Sequence, residues 1–189
     1  MTIRDRRNRT WLYASAGVFL LYAFFLCLHF APATSSYDSG GYWGQATLFL
    51  RTGRTWFMRE CPVQYVGLHW LQADDGRFLC RYPPGLALLV AGVIRAGGHH
   101  FAVALNPLLS LVTLMGAFLL AKGMAGNRAG FFTVLFLAAN SVFMRHSILS
   151  DAHMSVSALL IWSLFLLHRW DRNGRLPWLV AASLLLGII

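Results

Sequence analysis

The chain has 189 residues, 57% of them apolar and 12% charged, with a mean hydropathy of +0.55. That balance excludes an ordinary soluble domain and describes a polytopic membrane protein. The formal charge is +9, carried by sixteen basic residues that are all arginine except Lys122. They fall in loops between apolar runs, not on one soluble face. That placement argues against nucleic acid and suits positive-inside orientation, anionic headgroups or phosphates.

The first apolar run, residues 11–30, is twenty residues without a formal charge. As a helix it is about 30 Å long, which matches a hydrocarbon core. Arg4, Arg6, Arg7 and Arg9 precede it, and Ala31-Pro32-Ala33 follows. That tripeptide resembles a signal-peptidase site, but the run is longer than a signal-peptide core. An uncleaved anchor with a cytoplasmic N-terminus is the favoured reading.

Residues 31–100 then form a long outer loop. Within it, Tyr42, Ala46, Phe49 and Leu50 recur at i, i+4, i+7 and i+8, which predicts a short amphipathic helix at the membrane surface. Runs 63–71 and 77–82 favour strands and flank Ala73-Asp74-Asp75-Gly76, the pattern of a β-hairpin. Cys61 and Cys80 share this loop and admit either a disulfide or two free thiols. Pro83-Pro84 then opens an apolar run at 86–94, nine residues long and too short to span comfortably. Such runs are interfacial, re-entrant or buried in protein.

Further spans are predicted over 101–121, 129–144 and 152–167, with Asn106-Pro107 predicting a kink in the first of them. The last run, 176–189, is fourteen residues, about 21 Å, and stops short of a crossing. The chain therefore reads as the N-terminal part of a larger membrane protein. With 86–94 not spanning, three basic groups fall inside: the N-terminal arginines, Lys122 with Arg128, and Arg169 with Arg172 and Arg175. Asp38 and Asp151 both fall outside. Counting 86–94 as a span inverts everything after it and strands the last two groups outside, against the positive-inside rule. The expected fold is an all-α polytopic membrane protein, its outer loop carrying juxtamembrane helices and a small β-hairpin.

Seven acidic residues complete the inventory. Asp5 lies in the basic tail, Asp171 in a basic loop, Asp74 and Asp75 in a turn, and Glu60 is undecided. Asp38 and Asp151 sit where apolar runs meet water, and an ionisable group at that level is a functional hypothesis by default. Each has two readings. It caps the helix that follows, or it is a carboxylate that takes a proton from an acceptor, positions it or binds a metal. Arg145 with His146 is either a snorkelling boundary pair or a phosphate clamp near Asp151. Arg77 and Arg81 read first as ordinary hairpin charges and second as lipid-phosphate ligands. His99-His100 has no metal-ligand spacing, and Gly40-Gly41 is too short to be a phosphate loop.

Taken in order, Tyr37-Asp38 with Tyr42 and Ala46, then Tyr82-Pro83-Pro84-Gly85-Leu86, then Leu149-Ser150-Asp151-Ala152 resemble the start of a GT-C membrane glycosyltransferase. The likeness is to the branch containing bacterial aminoarabinose transferase and the protein O-mannosyltransferases. It implies transfer of a sugar from a polyprenyl-phosphate donor to a lipid, glycan or protein acceptor at the outer face of a bacterial inner membrane. The catalytic residues implied are Asp38 and Asp151. Tyr37, Tyr42, Arg81, Tyr82, Arg145 and His146 are the implied substrate contacts. Some relatives have lysine before the Pro-Pro pair, where this chain has Tyr82 preceded by Arg81. A divalent ion at Asp38 and Asp151 is left open, because metal dependence varies across that superfamily. The competing class is a non-catalytic membrane protein, either a transporter fragment or a lipid-binding scaffold. The clustering of ionisable groups at one surface weighs against transport.

Overall fold

The computed structural model describes residues 3–29, 37–61, 63, 64 and 66–188. The Ala31-Pro32-Ala33 tripeptide lies outside them. The described chain folds as two compact units. The first contains α1 (Ile3–Leu28), α5 (Leu105–Ala125), α6 (Asn127–Ala138), α7 (Ser141–Ile148), α8 (His153–Asn173) and α9 (Leu176–Ile188). The second contains α2 (Tyr37–Thr52), β1 (Trp56–Met58), β2 (Trp70–Gln72), β3 (Arg77–Cys80), α3 (Pro84–Gly97) and α4 (His99–Val103), together with the segment Leu149–Ala152.

Two helical stretches among the described residues, Asn8–Leu28 and Leu105–Ala125, are each long and apolar enough to cross a membrane. The α6–α7 pair makes a third if counted as one bent span. The first unit packs around Tyr22, Leu26, Leu114, Phe118, Val134, Phe143 and Met154. Its helices approach closely where glycine allows it. A Cβ on Gly116 would stand 2.9 Å from Ile161, and one on Gly123 would stand 2.9 Å from His168, so α5 meets α8 through both glycines. Trp162 adds an indole N–H bond to the Val112 carbonyl at 3.0 Å. Tyr22 of α1 and Ser147 of α7 share a buried hydroxyl–hydroxyl bond of 2.6 Å. Leu20, Leu21 and Phe24 on α1, and Leu108 and Met115 on α5, remain exposed. Exposed apolar area of that extent is costly in water and ordinary against lipid.

Three expectations change in this unit. The run 152–167 falls almost wholly in α8, which is not among the described helices long and apolar enough to cross a membrane. The run 129–144 is not one helix but α6 and α7, bent by 67°. The cause is local: Asn140 accepts the Phe143 backbone N–H through its side chain at 2.9 Å. That is N-capping geometry, which starts a new helix instead of continuing the old one. Asn106-Pro107 makes no kink, because α5 begins only at Leu105. Proline in a first turn removes an N–H that had no intrahelical acceptor.

In the second unit the amphipathic segment is α2, and its Tyr42 and Ala46 pack on Leu86, Ala87, Val90 and Ala91 of α3. The run 86–94 is thus part of a fourteen-residue helix with one protein-covered face, while Leu88 and Leu89 stay exposed. At about 21 Å it falls short of a span. The hairpin forms with β2 against β3, but it is joined by an unanticipated strand: β1 pairs the other edge, giving the order β1-β3-β2, antiparallel throughout. The predicted first strand shrinks from 63–71 to Trp70–Gln72. Gly76 takes the turn position at φ +82. Asp75 accepts the Arg77 backbone N–H at 3.1 Å and pairs with its guanidinium at 2.5 Å, which accounts for Arg77 as a hairpin charge. Phe57 stacks on Phe78 and meets the edge of Trp70, forming the sheet's own small core.

Candidate functional site

The cluster around Asp38 lies wholly in the second unit. Asp38 occupies the first turn of α2, and its carboxylate is engaged across the fold. The Tyr82 hydroxyl donates to Asp38 Oδ1 at 2.5 Å. Position 82 stands here because β3 ends at Cys80 and Pro84 opens α3. The intervening turn is tied down by the Arg81 N–H, which donates to the His69 carbonyl at 2.8 Å. Tyr42, one helical turn after Asp38, brings its ring to 4.8 Å from that of Tyr82, and His69 lies 5.6 Å from Tyr82 on another side.

Space is made for this stack by Gly41. A Cβ there would meet two Tyr82 ring carbons at 2.6 Å and His69 at 3.1 Å. The Cys80 thiol donates to the Gly41 carbonyl at 3.8 Å, and neither Cys61 nor Cys80 is bridged. Burial pushes the Cys80 thiol up from its ordinary pKa. Ala152 packs against the α2–α3 core and carries the neighbouring Asp151, which is 4% exposed.

The electrostatics tie the two aspartates to one phenol. Tyr42 is raised above its ordinary pKa, first by burial and then by the charges of Asp38 and Asp151. Tyr82 is pushed up to about 12, chiefly because its hydroxyl is committed to Asp38. The Arg81 guanidinium, 5.9 Å from the Tyr82 ring centre, opposes that rise. Both phenols therefore stay neutral at physiological pH, and the Tyr82 hydroxyl holds Asp38 at one oxygen. Such a site can orient a carboxylate and leave its second oxygen for an incoming O–H or N–H.

Asp38, Tyr42, Arg81, Tyr82 and Asp151 thus belong to one unit. Tyr37 begins α2, its side chain outside the described residues. Arg145 and His146 lie on α7 in the first unit, where the His146 and His153 rings have centres 4.2 Å apart. Asp151 stands between those histidines in the chain, so three ligand-type residues occur within eight positions. The bond with Tyr82 engages Oδ1 alone and is compatible with the capping reading of Asp38, which lies in the first turn of α2. A metal at Asp38 fits poorly. Among the described residues no trio of ligand atoms includes it, and an O–H donor occupies Oδ1.

Three contributors escape sequence reasoning. His69 has no spacing relation to Asp38 or Tyr82, and Gly41 announces only flexibility. Gln45 follows Tyr42 on the same helical face, 3% exposed, with Oε1 lacking a hydrogen-bond partner among the described residues. Its i+3 offset from Tyr42 was the one available signal. No family model, curated protein or solved structure matches the chain.

Proposed function

We propose that the α2 cluster is the base site of a membrane glycosyltransferase that uses a polyprenyl-phosphate sugar at the extracytoplasmic face of a bacterial inner membrane. The observation that carries this reading is the Asp38 carboxylate, fixed by Tyr82 beside Tyr42, whose phenol feels the charges of both Asp38 and Asp151.

The proposed step is an inverting displacement. An acceptor hydroxyl or amine attacks the anomeric carbon, its proton passes to Asp38 Oδ2, and the bond from that carbon to the phosphate oxygen breaks. Polyprenyl phosphate leaves with the electron pair. Asp151 orients the acceptor, and Arg81, beside the Tyr82 ring, stabilises the leaving phosphate. Interface chemistry also suits a donor whose lipid tail stays in the bilayer. No step runs through a metal.

The test is transfer of labelled sugar from a polyprenyl-phosphate hexose and a polyprenyl-phosphate pentose to membrane acceptors, in membranes containing the wild type or Asp38→Asn. The substitution keeps shape and removes the base, so a loss of about 10²–10⁴-fold is expected. Transfer by the wild type that Asp38→Asn leaves undiminished would sink the assignment.

A further inference from the structure

The first unit holds a cleft of about 500 Å³ that the proposed chemistry does not use, walled by Asn8, Trp11, Lys122, Gly126, Asn127 and Arg128. Its place is defined by the apolar stretches that border it. Asn8 opens the stretch Asn8–Leu28, and Ala125, also in the cleft wall, closes Leu105–Ala125. Both candidate spans therefore end at this cleft, and the ends of such spans meet the level where acyl chain gives way to phosphate. The two ends are pinned together by Asn127, whose side-chain amide donates to the Asn8 carbonyl at 3.2 Å.

The chemistry of the wall is cationic and aromatic. The Arg128 guanidinium lies 5.9 Å from the Trp11 ring centre and 5.8 Å from that of Phe132, two rings whose own centres are 5.9 Å apart, so it sits beside an aromatic pair. Lys122 lies 5.7 Å from the Phe118 ring centre. Among the described residues neither cation has a carboxylate partner, the ion pair there being Asp75–Arg77. Two like charges on one cleft repel until an anion joins them. Gly126 precedes α6 at φ +84 and supplies no side-chain cap, so the amides of that first turn add further donors. A tryptophan at this level is the usual companion of a headgroup.

We propose that this cleft binds the phosphate of an anionic phospholipid headgroup, with Lys122 and Arg128 as its ligands and Trp11 against the glycerol backbone. Basic clefts between spans at the membrane surface take such headgroups. A cavity of this size lies within the range of small-ligand sites. Free phosphate shares the charge but would gain nothing from the Trp11 wall. The site lies in a different unit from Asp38 and stands whether or not the chain transfers sugars.

The test uses the full chain in neutral detergent, titrated with short-chain phosphatidylglycerol, short-chain phosphatidylcholine or inorganic phosphate, with thermal unfolding and the tryptophan fluorescence change that Trp11→Phe removes as readouts. Wild type should be stabilised by phosphatidylglycerol alone. Lys122→Gln/Arg128→Gln should weaken that binding by about tenfold or more, as expected for lost charge-assisted bonds. Lys122→Arg, which keeps the charge, should retain most of it. Arg172→Gln/Arg175→Gln removes two charges away from the cleft and should bind as wild type does. Equal response to both lipids, equal loss in the two double variants, or full competition by inorganic phosphate would each overturn the proposal. An unfolded Lys122/Arg128 variant would show in its melting curve before any lipid is added, and the Lys122→Arg and Arg172/Arg175 arms then decide.

Discussion

Tyr82 is the residue on which the Asp38 geometry turns, and its ionisation is the most direct observable. Spectrophotometric titration should show one phenol ionising near pH 12, where an ordinary tyrosine ionises near 10. In Asp38→Asn that phenol should fall back toward the ordinary value. The sign for stability follows. A phenol whose folded pKa is raised stabilises the fold fully below its unfolded pKa, and the contribution is lost as pH climbs from about 10 to about 12. Under the proposed function, Tyr82→Phe should lower sugar transfer by about tenfold by freeing the carboxylate, and should add little on top of Asp38→Asn. Gly41→Ala is the harsher change. Its methyl would stand 2.6 Å from the Tyr82 ring, so the ring must move. A cost of about 1–3 kcal/mol in stability is expected, read by denaturant unfolding, together with loss of the raised Tyr82 pKa.

At the scale of elements, α7 exists as a separate helix because one polar side chain intervenes in an apolar run. Asn140→Ala removes the acceptor for the Phe143 amide. It should destabilise the α6–α7 corner by about 1 kcal/mol, as loss of an N-cap does. Faster hydrogen exchange at 141–144 would be the local readout, and unchanged protection there would remove Asn140 as the cause of the bend. The α1–α7 contact includes the hydroxyl pair Tyr22–Ser147 beside the packing of Tyr22 on Phe143. Its loss in Tyr22→Phe should cost about 0.6–2 kcal/mol, the range of interhelical hydrogen bonds in membrane proteins, seen as a lower melting temperature in detergent.

For the whole molecule, the decisive question is how many crossings separate the hairpin from the basic loop at Arg172. If α3 does not span while α5, the α6–α7 pair and α8 each cross, the two fall on opposite sides of the membrane. In a cysteine-free background, Asp74→Cys, at the exposed hairpin tip, should react with an impermeant maleimide on spheroplasts. Arg172→Cys, equally exposed, should react only after permeabilisation. Labelling of both from outside would mean that α3 crosses the bilayer or that α6–α7 turns back within it. The first unit supplies an internal constraint on this count. Asn127 bonds to Asn8, and Gly123 packs against His168. The segments leading into all three basic clusters therefore share one end of that unit, an arrangement the positive-inside rule favours.

What the sequence determined by itself is what composition and periodicity control. Hydropathy sets the apolar helices, because backbone groups in lipid must bond within their own segment. The i, i+4, i+7 pattern produces α2, and Asp-Gly between β-rich runs produces the β2–β3 hairpin. Asp38, Tyr82 and Asp151 were visible as residues at the ends of elements. Their association was not, since 44 positions separate Asp38 from Tyr82 and no local rule spans that distance. Tertiary packing alone decided that β1 completes a sheet and that His69 and Gly41 build the wall around Tyr82, whereas the split at Asn140 is a local cap that hydropathy by itself does not register. The physical reason is that a missing Cβ or a side-chain hydrogen bond acts only when another element arrives to use it. Lys122 and Arg128 read in the sequence as loop charges; the fold placed them on one cleft.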